Sequence, residues 1–253
     1  MFRSRVIPCL LLSDSGLVKT VKFGTPKYIG DPINAVRIFN DKEVDELVVL
    51  DISATRAVRG PRFDMIREIA AECFMPLTYG GGVRTIEQMD RLFRSGVEKV
   101  SLNSEVFCTP QLVREAARRF GAQSVIVSID VRRNWMGRYR VWSDGGRKDS
   151  GLDPYDHARQ MVDLGAGEIL VQSIDRDGTM DGYDLDLVRR ITSSVSVPVV
   201  ACGGAGKFED LSRVIRDAGA AAAAAGSLFV FHGKHRAVLI SYPTQQELAA
   251  VLA

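Results

Sequence analysis

The residues best suited to chemistry lie in two stretches that nearly repeat each other, residues 76–104 and residues 198–227, whose starts are 122 positions apart. The first stretch contains three successive glycines at 80–82, and the second contains two at 203–204. A glycine turn before a helix allows backbone amides and the positive end of the helix dipole to converge on a phosphate group. Two such turns in register predict two anion sites, and therefore a ligand with a phosphate at each end.

Four carboxylates fall at or just after predicted strand ends and could transfer protons: Asp51, Asp130, Asp175 and Asp177. A carboxylate in that position can be partly desolvated, which brings its pKa closer to neutral. The alternative for each of them is a helix cap or a loop turn. Asp130 is the leading candidate, because it directly ends the apolar run 124–130.

Two further polar features could contact an anionic ligand. In the loop 175–179, acidic groups could bind ribose hydroxyls, or backbone amides could complete a phosphate site, with Gly178 free to adopt a positive φ. A plain tight turn is the alternative for this loop. Lys19 lies in a loop after the first strand, where it could approach the ligand or remain solvated.

The elements that must position these residues alternate along the chain. Eight short apolar runs are separated by amphipathic segments, and most are continuously apolar, as expected of parallel strands buried on both faces. The predicted strands are residues 6–12, 47–52, 77–79, 100–103, 124–130, 169–173, 199–202 and 221–225. The last is rich in alanine and could form a helix, but its place in the repeat favours a strand. Caps predict helix starts at Asp31, Thr85, Thr109 and Asp153.

This alternation and the internal repeat together predict an α/β fold, a single (βα)8 TIM barrel with a two-fold half-barrel repeat. We expect one domain over residues 1–253, with half-barrels at about 1–122 and 123–253. The active site of such a barrel lies at the carboxyl ends of its strands.

Composition narrows the classes of ligand and partner. The net charge of +2, without a run rich in arginine or lysine, gives no support for nucleic-acid binding. The four cysteines lack the paired spacing of a metal site, and Cys9 and Cys202 are expected to be buried thiols. We expect no metal and no cofactor. The first residues lack the apolar region of a signal peptide, and the apolar run 220–231 is too short to span a bilayer, so we expect a cytoplasmic protein without membrane contact.

Four charged residues directly precede strands one, two, four and six: Arg5, Glu46, Lys99 and Glu168. Their signs alternate, so four inward-pointing side chains could close the barrel floor as a neutral ring. Charges at this end of a barrel usually form a solvated rim that stabilises the fold. The residue types alone therefore favour the rim.

Six segments in combination resemble the cyclase subunit of imidazole glycerol phosphate synthase (HisF): residues 5–10, 45–52, 80–82, 99–103, 173–179 and 203–207. The resemblance covers essentially the whole chain. It implies a barrel that forms a heterodimer with a HisH-like glutaminase docked at the barrel floor. Ammonia from the glutaminase would cross the barrel and attack a bis-phosphate substrate, PRFAR. The products would be imidazole glycerol phosphate and an aminoimidazole carboxamide ribotide (AICAR), and the reaction would be a step of histidine biosynthesis.

The resemblance also implies roles for individual residues. The four charged residues that precede strands would form an ammonia gate, which reverses the preference for a rim. Lys19 would be a loop lysine that contacts the ligand, and Asp130 would be one of two acid/base aspartates. The phosphate contacts would lie on two sides of the site: Gly82, Asn103 and Ser104 on one side, and Asp177, Gly178, Gly204, Gly226 and Ser227 on the other.

The second acid/base aspartate of the family is missing. The family pattern places it at the end of strand one, where this chain has Leu11. Leucine cannot transfer a proton, and it makes that edge of the site apolar. Asp14 is close in sequence but lies in the following loop, so we do not favour its substituting for the lost group. On the floor, Glu98 beside Lys99 is either a contact with the glutaminase or an exposed loop acid.

Three functions remain compatible with the sequence. The first is the family reaction. The second is a paralogue that, with a glutaminase, supplies ammonia to a separate ATP-dependent amidotransferase for acetamidino modification of a surface-polysaccharide sugar; residues 6–12, 18–23 and 233–243 resemble that branch. The third is a non-catalytic docking subunit that only activates the glutaminase. The gate residues are all present while one proton-transfer group is lost. This combination favours the second function, the ammonia-supplying paralogue, as the chemistry of the protein.

Overall fold

The computed structural model describes residues 4–14 and 16–252. Eight parallel strands close into a barrel, in which each strand pairs with its neighbours in the sequence and the last pairs with the first. This arrangement confirms the predicted (βα)8 barrel. The barrel strands are β1 (Arg5–Ser13), β2 (Leu47–Asp51), β3 (Leu77–Gly80), β4 (Lys99–Leu102), β5 (Val125–Arg133), β6 (Glu168–Ser173), β7 (Val199–Cys202) and β8 (Ala222–Ala225).

In the described part of the chain, a helix of at least eight residues follows each barrel strand. None of these helices is long and apolar enough to cross a membrane. A short helix, Ser227–Val230, comes directly after β8, and two 3-10 turns cover Ser104–Phe107 and Ala122–Ser124. The longer helices are α1 (Pro32–Asp41), α2 (Phe63–Glu72), α3 (Ile86–Arg94), α4 (Gln111–Phe120), α5 (Pro154–Asp163), α6 (Leu185–Thr192), α7 (Phe208–Arg216) and α8 (Gln245–Leu252).

Three of the four predicted N-caps form. The side chains of Asp31, Thr85 and Asp153 each accept a hydrogen bond from a backbone N–H in the first turn of the following helix. The prediction for Thr109 is wrong, because its hydroxyl donates to Glu105 at 2.9 Å instead, and α4 begins without a side-chain cap. The preceding 3-10 turn places Glu105 within reach, so this local bond replaces the cap.

Short antiparallel strands extend three of the loops at the carboxyl end of the barrel. After β1, Gly16–Lys19 pairs with the end of that strand and with Lys27–Gly30. After β5, Tyr139–Ser143 pairs with the extension of that strand and with Lys148–Asp149. After β8, Phe231–His232 pairs with Ala237–Val238. These segments build walls around the end where the barrel strands terminate.

The alanine-rich segment forms a strand, as its place in the repeat predicts. In β8, Ala222 is paired with Arg5 of β1 and with Val200 of β7, so the strand is hydrogen-bonded on both sides. Ala222 and Ala224 face the barrel interior, while Ala223 and Ala225 face the helices. Barrel closure from both edges therefore overrides the poor strand propensity of alanine.

The core has two parts, because alternate residues of a strand point to opposite faces. The outward faces pack against the buried stripes of the helices, such as Val36 and Phe39 of α1 and Met89 and Leu92 of α3. The inward faces form a separate apolar cluster along the barrel axis, which includes Ile7, Leu11, Val48, Ile126, Leu170, Val200 and Ala222. As predicted, Cys9 and Cys202 are buried thiols in this inner cluster.

A buried histidine in α5 is an exception to the apolar packing. His157 is 4% exposed, and its ring stacks on Phe107 with 5.2 Å between the ring centroids. Among the residues that the structure describes, neither ring nitrogen has a hydrogen-bond partner. Burial lowers the pKa of His157 to about 4, compared with about 6.5 for an unperturbed histidine. The folded protein therefore keeps this ring neutral.

We predict that His157 makes the protein less stable in mild acid. Between the folded pKa of about 4 and the unfolded pKa, the unfolded chain binds a proton that the folded chain does not. This contribution is complete above about pH 6.5 and is lost as the pH falls toward 4, by up to about 3 kcal/mol. His157→Phe, which keeps a stacked ring, should remove this part of the pH dependence. Urea unfolding of both proteins at about pH 7.5 and about pH 5 measures it, and equal losses in the two proteins would contradict the prediction.

Candidate active site

A cavity of about 400 Å³ opens at the carboxyl end of the barrel. Its walls come from the ends of consecutive strands and from the loops that follow them. Because the strands are parallel, residues distant in the sequence meet at this end. The cavity is lined by five of the residues singled out in the sequence, namely Asp51, Gly82, Asn103, Ser104 and Asp130.

The glycine turn after β3 forms one side of this cavity. Gly81 and Gly82 have φ values of 123° and 70°, which disfavour residues with side chains. A Cβ on Gly81 would lie 2.4 Å from the backbone oxygen of Asp51, and one on Gly82 would lie 2.7 Å from that of Arg59. Glycine is therefore required for the turn to pack against the loop after β2.

A second, smaller cavity of about 20 Å³ adjoins the glycine turn after β7. Gly204 has a φ of 113°, and a Cβ there would lie 2.2 Å from the backbone oxygen of Gly182. Gly226 and the start of the short helix at Ser227 close the other wall. All five residues that the resemblance implies for the second phosphate side line this cavity, and so does Lys19. The five are Asp177, Gly178, Gly204, Gly226 and Ser227.

Lys19 and Asp177 are held in place within the second cavity. The Lys19 ammonium group donates to the backbone oxygen of Cys9 at 2.7 Å, and burial lowers the pKa of Lys19. Asp177 accepts from the hydroxyl of Thr20 at 2.8 Å and from the N–H of Phe23 at 3.3 Å. Burial raises the pKa of Asp177, although these hydrogen bonds oppose the shift. The Lys19 ammonium group is thus oriented by β1, and the Asp177 carboxyl by the loop that follows β1.

Asp130 lies on β5 between the two glycine turns. Burial raises the pKa of Asp130 to about 7, although a hydrogen bond from Asn103 favours the charged form and so acts in the opposite direction. The Asn103 amide donates to the Asp130 carboxyl at 2.9 Å. A carboxyl with a pKa near 7 can accept and donate protons at neutral pH, which suits general acid/base catalysis.

Leu11 and Gln172 line both cavities and therefore join them into one site. Leu11 is 4% exposed and belongs to the inner apolar cluster, so the edge formed by β1 carries no proton-transfer group. Asp14 is exposed, adopts a φ of 52°, and lines neither cavity. The structure therefore places Asp14 away from Asp130 and leaves Leu11 facing the site.

The other two acidic candidates are engaged in ion pairs. The Asp51 carboxyl lies 3.1 Å from the Arg59 guanidinium and 3.3 Å from that of Arg62, beneath the first glycine turn. The Asp175 carboxyl lies 3.9 Å from the guanidinium of Arg132 and also accepts from the backbone N–H of Arg133 at 2.9 Å. These contacts favour a role in holding the loops, which is the alternative that the sequence left open for both residues.

The four charged residues at the amino end point inward and contact one another. Arg5 forms ion pairs with both Glu46 and Glu168. The Lys99 ammonium group lies 3.0 Å from the nearest Glu46 oxygen and 3.2 Å from Glu168. Both glutamates are buried, while Arg5 and Lys99 keep part of their side chains in solvent. The solvated rim favoured by residue types alone is therefore wrong for this quartet, which we call the ion-pair ring.

Sequence reasoning missed several polar residues inside the barrel, and two of them contact or adjoin residues of the proposed site. Thr78 of β3 donates its hydroxyl to Glu46 at 2.9 Å and so completes the contacts of that carboxylate. Gln172 of β6 is paired across the sheet with Asp130 and is buried between the two cavities. Each is a polar residue within an otherwise apolar run, and that interruption was the available signal.

The described residues contain no group of three acidic, histidine or cysteine side chains arranged to hold a metal ion.

A closed parallel barrel with a cavity at the carboxyl ends of its strands has the architecture of a barrel enzyme. Residues 5–236 match the family described as histidine biosynthesis protein, and the chain belongs to this family. It is 54% identical over 248 residues to the imidazole glycerol phosphate synthase subunit hisF2 of Pseudomonas aeruginosa, a provisional name, across 98% of this chain and 99% of that protein. It is 44% identical over 232 residues to the subunit HisF of Alkaliphilus metalliredigens, across 92% of each. The chain is thus a HisF-like member of the family.

We predict that Asn103 tunes the proton affinity of Asp130. Asn103→Ala removes the hydrogen bond that stabilises the charged carboxylate, so the pKa of Asp130 should rise above its value of about 7. A 13C NMR titration of the aspartate carboxyls follows this change, and Asp130→Asn identifies the Asp130 signal. Asn134→Ala, which alters an asparagine in the loop after β5, is the matched control. A lowered or unchanged Asp130 pKa in Asn103→Ala would contradict this account.

Proposed function

We propose that this protein is the ammonia-using synthase subunit of a glutamine amidotransferase and binds a ligand with a phosphate group at each end. One observation carries the proposal: two glycine turns flank Asp130 at the carboxyl end, while the ion-pair ring lies at the opposite end of the same barrel. A bis-phosphate ligand would lie across Asp130 with one phosphate on each glycine turn. Backbone amides at these turns suit phosphate oxygens.

We propose that ammonia passes through the interior of the barrel, from the ion-pair ring to the carboxyl end. Above the ion-pair ring, the inward residues are mainly apolar or small, and they include Ile7, Val48, Leu170, Ala222 and Ala224. Neutral ammonia is compatible with such a lining, whereas a charged ammonium ion would be strongly desolvated. We propose that the ring acts as the gate through which ammonia enters from a HisH-like glutaminase bound at the floor. The resulting assembly is a heterodimer.

For the reaction itself, the family activity is the first candidate. It forms imidazole glycerol phosphate and AICAR from PRFAR in histidine biosynthesis. Asp130 would supply the proton transfers, Lys19 and Asp177 would hold the ligand at the second cavity, and Asn103 and Ser104 would contact the other phosphate. With Leu11 on β1, this chemistry lacks the second acid/base aspartate of the family pattern.

Leu11 favours a second candidate. The protein would supply ammonia, together with a glutaminase, to a separate ATP-dependent amidotransferase for acetamidino modification of a surface-polysaccharide sugar. In this proposal the protein keeps the ammonia gate and the two glycine turns that bind phosphate. The loss of a proton-transfer group reduces its cyclase chemistry. Single acid/base groups contribute roughly 10²–10⁴-fold to a rate, so the loss is a large one.

We further propose that residues 1–253 form one domain built from two half-barrels, of about 1–122 and 123–253, and that the protein acts in the cytoplasm. The glycine turns after β3 and β7 support the half-barrel repeat, because they occupy equivalent places in the two halves. Four free cysteines suit a reducing compartment.

We predict that two assays separate the candidate functions. If the family reaction operates, the gene should rescue growth of a histidine auxotroph that lacks its own cyclase subunit, and the purified protein should convert PRFAR with ammonium salt alone. If the protein is the ammonia-supplying paralogue, rescue should fail although folded protein accumulates. A non-catalytic docking subunit would give a third result. It would fail in both assays and bind no bis-phosphate ligand, but it would still stimulate a glutaminase.

We predict that Leu11→Asp raises ammonia-driven cyclase turnover, because it restores a carboxyl group facing Asp130. A gain of roughly 10²-fold is expected if this group alone is missing. Leu11→Asn is the matched control, since asparagine has the same size as aspartate but cannot exchange a proton. Turnover of PRFAR by the three proteins at saturating ammonia measures the effect. An unchanged rate in folded Leu11→Asp, or an equal gain in Leu11→Asn, would count against the idea.

A further inference from the structure

We infer that an exposed aromatic residue on the amino-end face, Phe74, anchors the glutaminase subunit next to the ion-pair ring. The inference rests on the proposed function, which requires a glutaminase at this end, and it names the surface and the chemistry of the contact. Together with the neighbouring Cys73, Met75 and Glu98, Phe74 forms what we call the floor patch.

Phe74 is the unusual member of the exposed apolar residues. It is 86% exposed and lies in the turn between α2 and β3, which is at the amino end of the barrel. Within the described ranges, every other large exposed hydrophobic residue lies in a loop that follows a barrel strand, at the carboxyl end. These residues are Val21, Tyr28, Val58, Trp135, Met136, Leu152, Val238 and Leu239.

Three hydrogen bonds involving Asn40, Cys73 and Phe74 stabilise the turn that carries Phe74. The N–H of Phe74 donates to the side-chain oxygen of Asn40 at 3.1 Å, and the amide of Asn40 donates to the backbone oxygen of Glu72. The thiol of Cys73 donates to the backbone oxygen of Met75 at 3.4 Å. An aromatic ring presented by a fixed turn loses little conformational entropy on binding, which is typical of the anchoring residues of protein interfaces.

The floor patch adjoins the ion-pair ring. Pro76, two residues after Phe74, accepts a hydrogen bond from the N–H of Leu47, the residue that follows Glu46. On the other side, the N–H of Glu98 donates to the backbone oxygen of Leu77, and Glu98 precedes Lys99. Burial raises the pKa of Cys73 to about 11, with a further contribution from the charge of Glu98, which places Glu98 near the turn.

These features indicate what the surface of the glutaminase must offer to the floor patch. A subunit that delivers ammonia through the ion-pair ring must cover this face, and it would contact the floor patch at the same time. Phe74 requires an apolar socket, and the exposed carboxylate of Glu98 requires a cationic group beside that socket. An interface with a buried aromatic anchor and a charged rim follows the usual pattern of protein complexes.

The test uses the full-length protein and the purified HisH-like glutaminase from the same organism. Phe74→Ala should raise the Kd measured by calorimetry about 10- to 100-fold, the range expected from removing one buried phenylalanine side chain. The ratio of glutamine-driven to ammonia-driven turnover should fall at subsaturating glutaminase. Phe74→Trp, which keeps a large aromatic ring, should bind within a few-fold of the wild type. Glu98→Lys should weaken binding most at low salt.

Trp135→Ala is the matched control, because Trp135 is also an exposed aromatic residue but lies at the carboxyl end. It should leave the Kd for the glutaminase unchanged. If Phe74→Ala binds as tightly as the wild type, the floor patch is not the anchor, although the proposed function stands. An effect of Trp135→Ala larger than that of Phe74→Ala would also overturn the inference. If the wild type binds no glutaminase, the proposed partnership fails and the inference fails with it.

Discussion

The closure of a parallel sheet into a barrel is the constraint on which the other features depend. Because all eight strands run in one direction, their carboxyl ends meet at one rim and their amino ends at the other. Gly82, Asp130 and Gly204 therefore surround one site although they lie on different strands. Closure is completed by β8, whose alanines are small enough to lie inside the barrel beside β1 and β7.

The ion-pair ring lies at the other rim, where the charges of its four side chains must balance. Two buried glutamates must be compensated, and Arg5 and Lys99 each contact both of them. Replacing buried ion pairs with apolar groups of similar volume is often neutral or stabilising. Stability is therefore a weak explanation for the ring. Its place at the amino end, below a cluster of buried apolar residues, is the feature on which the proposed gate rests.

At the carboxyl end, the glycine turns and the inward side chains make separate contributions to the site. Burial places the pKa of Asp130 at about 7, which suits proton transfer at neutral pH. Across the site, Leu11 provides packing and no titratable group, and Gln172 provides an amide that lines both cavities. The anion-binding turns and the acid/base chemistry can therefore diverge independently, since the former depend on backbone conformation and the latter on a few inward side chains.

The sequence by itself determined the eight strands, three of the helix caps, the two glycine turns and the absence of a carboxyl group at position 11, because these follow from local periodicity, backbone restrictions and residue identity. It misjudged the cap at Thr109, since a nearby glutamate in a 3-10 turn competes for the hydroxyl. Only the tertiary structure decided between a solvated rim and an inward ring for Arg5, Glu46, Lys99 and Glu168, because that choice depends on the pairing register around the closed barrel. The same is true of the pKa of Asp130 and of the exposure of Phe74, which depend on what packs around each side chain rather than on its neighbours in the sequence.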